Sequence, residues 1–216
     1  MPRPRRIVQR RNEFVEDLEV IRALADEVSG FAAAAGRWVA TAWKAHATFE
    51  MLAVRAYTAW ESFAHDVLIL TLANDTTQLA QETGLSIKPT RVTADMAEAL
   101  LTARGYLEFR DVDQLKGQAR NWLGQAQSPF EQLVDVDKGA ADDLRALRNF
   151  IVHRSRQSEQ KYEKLLGKHH VVTGPLPGEF LYDGNPTRLH GYVVQLRLAA
   201  GRLVPPYRWR WRNTAP

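Results

Sequence analysis

Apolar residues recur along this chain at three-to-four spacing almost throughout, the period of helices that bury one face. From Phe14, the positions Leu18, Ile21, Leu24, Ala25 and Val28 keep that spacing up to Gly30, which predicts a helix of about four turns. Trp38, Ala42, Ala45, Phe49, Leu52, Ala56, Ala59, Phe63, Val67 and Leu70 then hold one stripe, and neither Gly nor Pro occurs between Gly36 and Gly84. This predicts a single long helix of about nine turns through the domain.

Residues 74–92 read as a connection, because Asn74, Asp75, Thr76, Thr77 and Gly84 favour turns and Pro89 disfavours helix before it. Thr93 offers a capping hydroxyl ahead of Met96, Leu100 and Leu101, and a second short helix fits Val112 to Leu123. The next helix is expected to start at a capping Asp137, with Asp142 and Asp143 in its early turns, where the helix dipole favours acids. Leu144, Leu147 and Ile151 mark its buried stripe, and the pattern carries it on to Leu166 with Gly167 as its stop. Residues 168–187 hold too many Gly and Pro for a helix. They read as a loop insert, or a hairpin pairing Val171-Val172 with Phe180-Leu181-Tyr182. Leu189, Tyr192, Val193, Leu196, Ala199, Ala200 and Leu203 give a last amphipathic helix, ended by Pro205-Pro206. The fold class is all-α, a helical bundle with a long central helix.

Composition narrows the chemistry. Of the 216 residues 45% are apolar and 25% charged, which suits a globular chain, and none is Cys. Disulfides, thiol nucleophiles and zinc ribbons are thereby excluded. No apolar run approaches the roughly 18 residues of a spanning helix and no apolar stretch follows the first charges, so the expectation is a cytoplasmic protein without membrane contact. The net charge of +4 is uneven: a basic arm at residues 1–11 carries Arg3, Arg5, Arg6, Arg10 and Arg11, and Tyr207-Arg208-Trp209-Arg210-Trp211-Arg212 alternates rings with guanidinium groups. Residues 1–203 are read as one helical domain that starts with this arm, and 204–216 as an Arg/Trp-rich tail. Both ends suit a polyanion, although short basic ends also serve solubility alone.

Gly-rich phosphate loops, His-Glu-x-x-His and Gly-x-Ser-x-Gly are all missing. The six His are scattered apart from His169-His170, so no metal site and no cofactor are expected. One helix does gather chemistry. Arg145, Arg148, Asn149, His153, Arg154 and Arg156 crowd into about three turns, and Asn149 and His153, four apart, share a face. Imidazole can exchange a proton with a ribose 2′-hydroxyl or a leaving 5′-oxygen near neutral pH, and guanidinium can hold charge building on a phosphate, without metal. From spacing alone the same residues also describe a solvated basic face with His153 at the edge of the core. The rings Trp38, Trp43, Tyr57 and Trp60 fit either core or a dimer interface.

The stretch Arg148-Asn149-Phe150-Ile151-Val152-His153 resembles the Arg-x4-His motif of the HEPN superfamily in its Arg-Asn-x-x-x-His form. About 90 residues upstream, Trp60-Glu61-Ser62-Phe63 is similar to the corresponding helix of RiboL-PSP-type HEPN proteins. The resemblance covers roughly residues 40–165 and the last helix. It implies a HEPN-type helical bundle and a metal-independent endoribonuclease that leaves 2′,3′-cyclic phosphate, acting in toxin–antitoxin or other defence systems. On that pattern Arg148 and His153 are the catalytic pair, Asn149 orients His153 or a phosphate, and Glu61 supports the same cleft. Arg145, Arg154 and Arg156 are expected to bind RNA. The implied partners are RNA, a second copy completing a composite site, and an antitoxin or regulatory protein. The alternative is a catalytically inactive HEPN module that binds RNA, nucleotide or a protein. In family toxins silenced by nucleotidyltransferase antitoxins the motif continues His-x-Tyr. Here Ser155 stands at that position, so no tyrosine can be adenylylated there.

Overall fold

The computed structural model describes residues 3–34, 39–84, 92–102 and 111–205. Among them are nine α-helices and no strand. These are α1 Arg3–Ala34, α2 Val39–Asn74, α3 Thr77–Thr83, α4 Ala94–Thr102, α5 Val112–Leu123, α6 Asp135–His153, α7 Arg156–Lys168, α8 Pro177–Tyr182 and α9 Arg188–Leu203. The all-α class and the long central helix stand. No helix among the described residues is long and apolar enough to cross a membrane.

The helices fall into two compact units. The first takes Met1–Glu13, Ser62–Val134 and Leu198–Pro216. In it, Asp111 caps α5 by accepting the Gln114 N–H at 2.8 Å, Thr93 accepts the Met96 N–H at 3.2 Å as its sequence position suggested, and α3 packs against α5. The basic arm is not a free strand: helix already runs from Arg3. Ile7, one heptad before Phe14, is fully buried and extends the stripe backwards. Arg10 pairs with Glu13 at 2.9 Å and Asp66 at 3.2 Å, and Arg11 donates to the Val204 carbonyl at 3.1 Å. Two of the five arginines are thereby partly engaged by the protein itself. The Arg/Trp tail at 207–212 lies outside the described residues.

The second unit, Phe14–Glu61 with Asp135–Arg197, holds the candidate chemistry. Its core takes Leu18 and Ile21 from α1, Phe49 and Leu52 from α2, Leu144 and Leu147 from α6, Phe180 from α8 and Leu196 from α9. Trp60, against Phe14 at a ring separation of 6.2 Å, and Tyr57 are buried here. The two belong to the core of this unit, whereas Trp43 is 68% exposed and Trp38 lies outside the described residues.

Three sequence expectations fail in this unit for local reasons. Helix α6 starts at Asp135, so Asp137 lies inside the first turn, where its buried carboxylate accepts from Gln195 Nε2 of α9 at 2.6 Å instead of capping. The predicted continuous helix to Leu166 breaks after His153. Arg154 adopts a left-handed φ of 42°, and Ser155 caps α7 by accepting the Ser158 N–H at 3.2 Å. The chain then folds back, so that Phe150 stacks on Tyr162 at 4.8 Å and 10° and α6 packs along α7. The insert at 168–187 forms no hairpin among the described residues. With Pro177 at its first position, α8 turns Phe180 and Leu181 inward while Val172 stays 96% exposed.

One carboxylate ties this unit together. Asp143, 7% exposed, accepts from Lys168 Nζ at 2.8 Å, His169 Nε2 at 2.8 Å and Tyr192 Oη at 3.3 Å, joining α6 to the end of α7 and to α9. Asp143→Ala leaves those donors without their acceptor and is expected to cost about 1–3 kcal/mol. On the α2 side, Gly178 donates its N–H to Glu50 Oε1 at 3.1 Å, and an added Cβ would lie 2.6 Å from the His46 carbonyl carbon. Gly178→Ala is therefore expected to destabilise by about 1–3 kcal/mol through overpacking. Thermal unfolding followed by circular dichroism checks both. Melting should fall by several degrees, at roughly 2–4 °C per kcal/mol for a chain of this size.

Candidate active site

The last turn of α6 carries the candidate chemistry because the buried stripe of this helix ends there. Ala140, Ala141, Leu144 and Leu147 are buried, whereas Arg148, Asn149 and Phe150 are half-buried and Val152 and His153 are exposed. His153 is the final helical residue, and the left-handed Arg154 turns the chain away directly behind it. A non-glycine residue there costs of order 1 kcal/mol. The Arg154 N–H to the Phe150 carbonyl at 3.1 Å, the Ser155 cap and the Phe150–Tyr162 stack hold the bend.

Arg148, Asn149 and His153 meet at one guanidinium nitrogen. Arg148 Nη1 donates to Asn149 Oδ1 at 2.9 Å and stands 3.2 Å from His153 Nε2. Guanidinium has donors only, so Nε2 is the acceptor in this pair. That contact suits the tautomer with the ring proton on Nδ1, the form in which Nε2 offers a lone pair. The five-residue offset places Arg148 well around the helix from His153, and its long side chain spans the gap.

Tyr57 of α2 feels the charges of this group. Burial raises the ionisation of its hydroxyl to about 12; the Glu61 charge adds to the rise, Arg145 and Arg148 oppose it, and Asp142 raises it slightly. One phenol thus senses both the exposed Glu61, one turn along its own helix, and the two arginines of α6. Tyr57 and Asp142 were not anticipated as members of this group. Tyr57 lies four residues before Glu61 and Asp142 three before Arg145, so helix-face spacing was the available signal. Arg154 and Arg156 are exposed around the bend.

Compared with known proteins, the chain matches no family model, no curated protein and no solved structure. Its chemistry rests on its own residues. Among the described residues, no three His, Cys, Asp or Glu side chains converge as a metal-holding group. His169 is committed to Asp143 and sits edge-on to Phe180 at 5.5 Å, inside the packing of the unit.

The buried phenols carry a pH consequence. Folded Tyr57 ionises near 12 against 10.0 for the free group, and burial raises Tyr162 and Tyr192 further still. The unfolded chain therefore releases these protons first as pH rises through 10, so stability present below that value is lost above it. Melting temperature should decline from about pH 10 upwards, and Tyr57→Phe should flatten part of that decline.

Proposed function

We propose that this chain is a metal-independent endoribonuclease of HEPN type that cuts single-stranded or loop RNA, acting as a toxin or defence effector. The observation that carries the reading is the shared contact of Arg148 Nη1 with His153 Nε2 and Asn149 Oδ1 at the exposed end of α6. It joins a proton acceptor, a fixed positive charge and an amide within reach of one phosphate. Arg145, three residues before Arg148 on α6, and the motif's order along the chain add support.

In the proposed reaction His153 Nε2 takes the proton of a ribose 2′-hydroxyl, and the 2′-oxygen attacks the adjacent phosphorus. The bond to the 5′-oxygen breaks, leaving a 2′,3′-cyclic phosphate and a 5′-hydroxyl. Arg148 turns from His153 to the non-bridging oxygens and holds their growing charge, while Asn149 orients the guanidinium. In-line displacement puts base and acid on opposite sides of phosphorus, so a second copy of the chain supplies the imidazole that protonates the leaving oxygen. Single-stranded RNA suits the site because its 2′-hydroxyls and unstacked bases are accessible.

The test incubates wild type, His153→Ala and Arg148→Ala with a labelled single-stranded oligonucleotide in EDTA and identifies the fragment ends. Wild type should give cyclic-phosphate ends, and either variant should lose about 10²-fold or more in rate. A strict requirement for Mg²⁺ would overturn the mechanism. RNA bound but uncut by all three proteins would point to a catalytically silent binding module.

A further inference from the structure

The antiparallel α6–α7 hairpin has two edges, and its contacts fix what lies on one of them. On α6, Gly139, Ala146 and His153 recur every seven residues. That interval drifts by only about 20° around a helix, so the three follow one line. On α7, Lys161 and Lys168 are likewise seven apart, with Lys164 between them and Gln157 one turn earlier. Lys168 Nζ stands 3.4 Å from where a side chain on Gly139 would begin, while its ion pair with Asp143 pins the register. The Phe150–Tyr162 stack fixes the same antiparallel pairing nearer the bend. The edge that carries Lys168 over Gly139 at one end therefore carries His153 at the other, with Lys161 in between.

Lys161 and Lys164 are exposed, and the buried residues Ser158, Tyr162, Leu165 and Leu166 face the other way. At 100° per residue the acids of α7, Glu159 and Glu163, fall on the opposite margin of its exposed surface. The result is a one-sided cationic line of Lys161, Lys164 and Lys168 along α7, on the margin away from Glu159 and Glu163, with the exposed Arg154 directly behind His153 at the bend.

We propose that this line is a phosphate track, which leads the backbone of a single-stranded RNA from the His153 site along α7 through Lys161 and Lys164. The inference rests on the nuclease reading for its ligand but concerns binding alone. Lysines at one-turn intervals suit a flexible polyanion, and their contribution comes from releasing counterions.

The test measures binding of a labelled single-stranded RNA of about twelve nucleotides to full-length protein carrying His153→Ala, so that nothing is cut. Affinity is followed between about 50 and 200 mM salt with and without Lys161→Gln and Lys164→Gln. The double substitution should weaken binding and reduce the slope of log affinity against log salt by about 1.4, at about 0.7 per lost phosphate contact. Lys44→Gln, on exposed surface of α2, should leave the slope unchanged. An unaltered slope in the double variant, or no RNA binding, overturns the track. Cleavage by wild-type protein in EDTA is scored separately. Cleavage with an unmoved slope sinks the track alone; a fallen slope without cleavage sinks the nuclease reading and leaves an RNA-binding face.

Discussion

A carboxylate taken out of water must be met by donors, and Asp143 meets three: one ammonium, one imidazole and one phenol, from the end of α7 and from α9. The second unit is arranged around this requirement. Desolvated charge is costly unless its lone pairs are used, so the register of α7 against α6 is held by the Asp143 cluster at one end. At the other end the chain must reverse within two residues. Arg154 accepts a left-handed backbone to do so, and Ser155 supplies the cap that restarts the helix.

The position of His153 follows from that reversal. Had α6 continued, the imidazole would sit in the middle of a long helix, with another turn of side chains beyond it. The break makes it the last helical residue, exposed, with Arg148 reaching along the helix to Nε2. Phe150, between the two in sequence, is half-buried and stacks on Tyr162 of α7. A ring packed against α7 and polar groups reaching solvent let one short segment serve both packing and the proposed chemistry. Tyr57 of α2 feels the charges of Arg145 and Arg148. There a buried phenol keeps its proton because burial outweighs the nearby guanidinium charges.

Helix-period arguments served well where a buried stripe continued without competition. Val112–Leu123 is found at its predicted bounds, and α2 and α9 lie within a few residues of theirs. The same arguments overran at His153, because a 3.6-residue period cannot register a reversal that keeps apolar residues available on both sides of the break. They also stopped short at Phe14, since Ile7 and Val8 are a short apolar pair among arginines, and the burial of Ile7 is decided by what it packs against. Phe180 and Leu181 had the alternation of a strand, but packing their side chains inward from a single helical turn satisfied them instead.

The sequence by itself determined the helical class, the long central helix and the gathering of Arg148, Asn149 and His153 on one element, because these follow from local spacing. Tertiary structure alone decided that the helix ends at His153, that Asp143 and Asp137 turn inward to donors from other elements, and that the buried Tyr57 of α2 feels the charges of Arg145 and Arg148. Each of these depends on partners more than twenty residues away or on the angle at which the chain returns, and neither quantity is encoded in the period of a single helix.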